Sequence, residues 1–209
     1  MKTMKTMNPF RMSTLLAMLF LAIIITSCSS DDDQAPEEEN EVEVITNLSL
    51  IFTNTADASD IVSATAVDAD GAGIGELVVL ESIDLAADTE YTLTYSILNA
   101  LNPDDVEDIA EEIEEEDFDH QIFYGFTEDI FASPVGDGNI DSSSDAVNYN
   151  DEDVNGNPVG LSTTWTTAAT ASTGIFTTRL QHQPDLKSAT TGASDGDTDF
   201  NLTFTINIE

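Results

Sequence analysis

The sequence predicts a mainly β fold, an antiparallel β-sandwich of the immunoglobulin-like or jelly-roll-like kind with one acidic helix packed on it. Three observations lead there. Apolar residues beyond position 42 recur mostly with period two, which an extended chain with one dry and one wet face requires. Threonine fills many of the alternate positions, as exposed strand faces favour. A single segment, residues 102–120, switches to helical spacing.

The strands follow in order. In "VEVITNLSLIFTN", Val42, Val44, Thr46, Leu48, Leu50 and Phe52 share one side. In "YTLTYSILN", Tyr91, Leu93, Tyr95 and Ile97 alternate with threonine and serine. The closing "FNLTFTINIE" sets Phe200, Leu202, Phe204, Ile206 and Ile208 against Asn201, Thr203, Thr205 and Asn207. Further strands are expected at 61–67, 76–82, 120–127, 145–150, 159–168 and 174–182, giving about nine in one sandwich.

The exception is "NPDDVEDIAEEIEEEDFDH". Val106, Ile109, Ala110 and Ile113 stand at helical spacing, Asn102 suits an N-cap and Pro103 the first helical position. Glu114, Glu115, Glu116 and Asp117 crowd the end where cations are preferred, so the helix is expected to depend on packing against a sheet and on screening ions. It offers either a solvated cover or a docking surface for a basic partner. "SPVGDGNIDSSSD", residues 133–145, reads as the most loop-like internal stretch.

The segment ahead of the domain fixes an address. "MKTMKTMNPFRMST" carries Lys2, Lys5 and Arg11 and no acid, and "LLAMLFLAIIIT" supplies twelve residues of which only Thr26 is polar. Twelve residues reach about 18 Å as a helix, short of the roughly 20 residues a membrane span needs. The order of charge, apolar core and small residue is that of a secretory signal. Ile25-Thr26-Ser27-Cys28 resembles a lipobox, in which the cysteine thiol is diacylated and the chain is cut before it; Cys28 is the only cysteine. Ser29, Ser30, Asp31, Asp32 and Asp33 resemble the serine-plus-acid export signal of Bacteroidota lipoproteins. The organisation expected is a cleaved signal peptide at 1–27, a lipidated cysteine and solvated acidic tether at 28–41, and one β domain at 42–209. The location expected is the outer membrane, facing outward, with a periplasm-facing protein as the alternative.

Charge narrows the partners. The chain has 41 Asp and Glu against 5 Lys and Arg, and only Arg179 and Lys187 of the strong bases lie beyond Cys28. Nucleic acid, bound through lysine and arginine at phosphates, is excluded. Direct adhesion to anionic lipid is disfavoured, leaving the acyl chains as the link to the membrane and a protein or glycan at the cell surface as the partner class. The acids serve either solubility in salty water or cation sites.

Three places could carry chemistry. In "YNDEDVNGNPVGL", Asp151, Asp153 and Asn155 followed by Gly156 match the first half of a calcium loop. The twelfth position is Ser162 rather than glutamate and the flanks are strands, so an EF-hand is rejected; a Ca2+-binding hairpin loop or a plain turn remains. Asp68 and Asp70 in "DADGAG", and Asp195 and Asp197 in "DGDTD", place carboxylates two apart beside glycine and could ligate a hard cation or only turn the chain. His120 and His182 are the only histidines; a zinc site would need both to converge with a carboxylate, and no Cys or His-x-x-x-His spacing supports it. Gly-x-Ser-x-Gly, a phosphate-cradling glycine loop and a second cysteine are all missing, so the expectation is a non-enzymatic protein that requires no cofactor. Trp165, Tyr124 and Tyr149 would line a groove if exposed, or fill the core.

The tether together with "PDDVEDIAEEIEEEDFDHQIFY", "YNDEDVNGNPVGLSTTWTT", "STGIFTTRLQHQP" and "GDTDFNLTFTINI" resembles a family of flavobacterial lipoproteins. Its members often carry the name "type 1 periplasmic binding fold superfamily protein". The resemblance covers nearly the whole chain beyond Cys28 and implies the extracytoplasmic location. The name implies a solute-binding protein of two α/β lobes, whereas the alternation implies a sandwich. A structural surface module without a small ligand is the remaining alternative.

Overall fold

The computed structural model describes residues 43–68 and 77–209. The expectations at Cys28, Ser29 to Asp33 and Asp70 lie outside these residues. Among the described residues no helix is long and apolar enough to cross a membrane.

Among the described residues, eleven strands form two sheets and one short helix accompanies them. The strands are β1 (Asn47–Asn54), β2 (Ile61–Val67), β3 (Val78–Val79), β4 (Ile83–Leu85), β5 (Glu90–Asn99), β6 (Glu107–Asp108), β7 (His120–Phe126), β8 (Phe131–Ser133), β9 (Ser162–Thr167), β10 (Ser172–His182) and β11 (Asp197–Ile208). The helix α1 is Ile109–Glu115. One sheet runs β3-β2-β1-β5-β9-β8, with β6 also on β5; the other runs β4-β11-β10-β7. All pairs are antiparallel except β4 with β11. Among the described residues this is the predicted β-sandwich with one short helix, and it is not the pair of α/β lobes that the family name implies.

The alternation read in the sequence decides which sides face inward. In β11, Phe200, Leu202, Phe204, Ile206 and Ile208 are buried while Asn201, Thr203 and Thr205 are exposed. Opposite them, Leu48, Leu50 and Phe52 of β1 are fully buried. Trp165 of β9 joins the layers. Its ring lies 5.2 Å from Tyr124, 5.4 Å from Phe126, 4.8 Å from Phe131 and 5.1 Å from Phe176, mostly edge to face. Its indole N–H donates to Thr163 Oγ1 at 2.7 Å, so the buried donor is satisfied. A second thread crosses the core: Thr178 donates to Tyr95 (2.7 Å), Tyr95 to Tyr124 (3.1 Å) and Tyr124 to the Gly160 carbonyl (2.6 Å). Trp165 and Tyr124 are therefore core, not groove.

Local chemistry corrects three expectations. Residues 102–108 are not helical: Asn102 forms a turn, accepting from the Asp104 and Asp105 N–H groups, and Glu107–Asp108 pairs with β5. Asp108 then caps α1, its carboxylate accepting from the Ala110 and Glu111 N–H groups, and Val106 is half exposed. Residues 145–150 supply one isolated bridge, Tyr149 to Thr163, in place of a strand. The 133–145 stretch is only partly loop. The Asn139 and Ile140 N–H groups donate to the Tyr124 carbonyl and the Phe126 N–H donates to Asp137, so this segment covers the open edge of β7. Gly138 permits that approach: its φ is +93°, and a Cβ there would collide with the Tyr124 carbonyl.

Candidate functional site

The sequence-predicted residues fall into separate local environments. Asp153 is 4% exposed and its carboxylate is occupied by protein donors. Oδ1 accepts from the N–H groups of Asn155 (2.8 Å) and Asn157 (2.9 Å), and Oδ2 from Asn157 Nδ2 (3.0 Å). Lys187 Nζ stands 3.5 Å from Oδ2. Burial pushes the Asp153 carboxyl up, but the Asn157 and Asn155 hydrogen bonds and the Lys187 charge outweigh it and hold the group below the ordinary range. Asp151 turns elsewhere, accepting from the N–H groups of Gly160 and Ser162 at 2.9 Å each. Burial raises its carboxyl despite those bonds. Gly156, at φ +80°, makes the turn. The half-motif thus has its own internal donors, the arrangement of a plain turn.

Among the described residues, Asp68, Asp195 and Asp197 do not join it in a shared ligand set. Asp195 Oδ2 accepts from the Gly192 N–H at 2.8 Å, Asp197 is exposed beside His182 in the ladder, and the Asp68 N–H donates to the Thr46 carbonyl. Among the described residues, metal-competent side chains gather within 4.8 Å in two places, and neither includes the predicted aspartates. One is Asp137, Asp141 and Asp145, all exposed on the loop that covers β7. The other is Glu116, His120 and His182.

The histidine site is made by topology. His120 opens β7, His182 closes β10, and the ladder register sets them opposite each other. Their rings stack at 4.4 Å with 9° between planes; His120 is fully buried and His182 is 8% exposed. His120 Nδ1 is 3.2 Å from the Glu116 carbonyl, which can only accept, so Nδ1 carries the proton and Nε2 the lone pair. That Nε2 is buried without a hydrogen-bond partner. Burial, then the neighbouring His182, push the His120 ring down to about 4.

A third feature is the junction around Lys187. Its side chain is buried, and Nζ donates to the Asp117 carbonyl while pairing with Asp153. Burial lowers its pKa against the pull of Asp153. It thereby ties together the end of α1, the 151–157 turn and the β10–β11 connection. Each of these carries an exposed apolar residue next to its anchor: Phe118 (50% exposed), Val154 (89%) and Leu186 (53%). A cavity of about 290 Å3 opens here, lined by Glu114, Asp117, Asp151, Glu152, Val159, Leu161 and Ser162. A second, of about 210 Å3, has a mixed lining that includes Gln121, Asn139, Ser143 and Tyr149 beside Val147 and Pro158. Tyr149 is half-buried; burial pushes its phenol up to about 12, and its hydroxyl donates to the Ile122 carbonyl and accepts from Asn139.

Comparison with family models, curated proteins and solved structures finds no match for this chain. Sequence reading missed Lys187 as a buried tie and Glu116 as the partner of the histidines. The Glu-x-x-x-His spacing of 116 and 120 was the available signal for the second. The Lys187 contacts depend on three distant loops and left no local trace.

Proposed function

We propose that this chain is a lipid-anchored, acidic β-sandwich that works outside the membrane by binding a protein partner, without catalysis. The address follows from the apolar run, the lipobox at Cys28 and the acidic tether. The observation that carries the binding reading is the Lys187 junction. Three segments held by one buried ammonium each carry an exposed apolar residue, Phe118, Val154 or Leu186, and a cavity at two of them is lined by Glu114, Asp117, Asp151 and Glu152. Apolar side chains rimmed by carboxylates fit a partner that carries lysine or arginine around an apolar patch. The cavity beside Tyr149 supports a second reading, a small hydroxylated solute such as a glycan unit, because its mixed lining sets Gln121, Asn139 and Ser143 beside Val147 and Tyr149.

The test is cross-linking on intact cells of the native host with a membrane-impermeant reagent. The expected result is one basic partner whose capture weakens with ionic strength and is lost in a Phe118→Ser/Leu186→Ser variant. Capture unchanged by that variant contradicts the junction as the binding surface. Absence of any partner favours a structural surface module.

A further inference from the structure

We propose that Glu116, His120 and His182 form a binding site for a borderline transition-metal ion of the Zn2+ class, with two imidazoles and one carboxylate as ligands and solvent in the fourth position. The proposal is independent of the anchor and of the Lys187 junction. It starts from an atom with no other employment: Nε2 of the fully buried His120 has no hydrogen-bond partner, and its lone pair is fixed there by the Nδ1 contact with the Glu116 carbonyl. A ring that donates one nitrogen to a backbone carbonyl and presents the other is the usual arrangement of a metal-binding histidine, since the carbonyl sets both tautomer and orientation.

The second and third ligands are in reach. One ring nitrogen of each histidine and a carboxylate oxygen of Glu116 lie inside a 4.8 Å span. A tetrahedral ion with bonds of about 2.0–2.2 Å places its ligands roughly 3.3–3.6 Å apart. Capture therefore draws the group together by about 1 Å and tilts the His182 ring out of its 9° stack on His120, because the in-plane lone pairs of parallel rings do not meet at one ion; Glu116 is the exposed member at the end of α1 and His182 stands at the rim.

The ligand set selects the ion. Imidazole nitrogens favour zinc, copper and nickel, whereas calcium and magnesium take oxygen ligands. The surrounding charges assist a cation: Asp119 interacts with His182, Asp197 stands opposite His182 in the ladder, and Glu43 and Glu112 lie near Glu116. Lys187 is the cation that opposes it, and its ammonium is committed to Asp153 and the Asp117 carbonyl. The exposed Asp137, Asp141 and Asp145 group has only oxygens and shows nothing that points to an ion.

The experiment uses the lipoprotein purified from its host in detergent and stripped with a chelator. Zn2+ is titrated against a chromogenic competitor, Co2+ is followed by its visible absorption, and Ca2+ serves as the control. The expected result is one equivalent of Zn2+ bound at micromolar or tighter affinity, with a Co2+ spectrum of tetrahedral intensity. Zn2+ at a hundredfold excess over its dissociation constant should raise the melting temperature by about 5–10 °C, and Ca2+ at equal ionic strength should not. Glu116→Gln, at an exposed position, should weaken Zn2+ by about tenfold or more, and His182→Gln by about a hundredfold. Asp137→Asn should change nothing. Failure to bind Zn2+, or binding that survives both ligand substitutions, overturns the proposal, and the stacked rings are then only a closure of the core edge.

Discussion

Lys187 Nζ and Asp153 Oδ2 stand 3.5 Å apart with both side chains buried, joining the β10–β11 connection to the 151–157 turn. Removing one partner leaves the other charge buried and uncompensated, which costs about 3–5 kcal/mol, while removing both costs less. Lys187→Met and Asp153→Asn should each lower stability by that order in denaturant titrations, and the double variant should recover part of the loss. A double variant that is merely additive would show that the two side chains act separately.

The same pair bears on the half-motif at Asp151–Gly156. Its carboxylates already accept from Asn155, Asn157, Gly160 and Ser162. Melting temperatures in calcium, magnesium and sodium at matched ionic strength should therefore rise together, as screening of a highly anionic chain requires. A calcium-specific rise that disappears in Asp151→Ala would assign the loop to coordination instead.

Trp165 is the keystone of the aromatic layer between the sheets. Trp165→Ala should cost about 3–5 kcal/mol by transfer and cavity terms. Trp165→Phe should cost distinctly less, because the four surrounding rings keep an edge-to-face partner. Equal losses from the two substitutions would contradict the packing described.

Two glycines with positive φ separate crowding from conformation. A Cβ at Gly138 meets the Tyr124 carbonyl and the Gly125 backbone, whereas one at Gly156 meets nothing within 4 Å. Gly156→Ala should cost about 1 kcal/mol, the left-handed penalty alone. Gly138→Ala should cost more and loosen amide protection in residues 137–140 and at Phe126.

Glu43 and Asp199 supply a pH dependence. The Glu43 N–H donates to Asp199 Oδ1 at 3.4 Å, while Asp199 Oδ2 is buried without a partner. Burial first, then the neighbouring Glu112 and Asp199, raise Glu43 to about 7, and burial raises Asp199 to about 7 as well. In the unfolded chain both ionise near 4. The folded state therefore holds more protons between about pH 4 and pH 7, and stability falls as pH rises through that window. No penalty applies below it and the full penalty applies above it. Asp199→Asn should raise the melting temperature at pH 8 and leave it unchanged at pH 4; an equal effect at both would remove the titration from the account.

How much of this was legible depends on the range of the interaction. The β11 alternation, with Asn201, Thr203 and Thr205 on its outer face, is local and period-bound, and the structure agrees with it. The helix start was misplaced because Asn102-Pro103 is a sound local cap, yet pairing of Glu107–Asp108 with β5 claims the backbone first. Phe131–Ser133 and Ile83–Leu85 are three-residue strands, too short for periodicity to register. The stacking of His120 on His182 is set by the β7–β10 register, which no spacing along the chain encodes.

Lipid anchoring is read from the mass of the N-terminal peptide of protein extracted from host membranes. The expected product is a chain that begins at Cys28 and carries acyl groups. A chain that retains Met1 and has no attached lipid would contradict it.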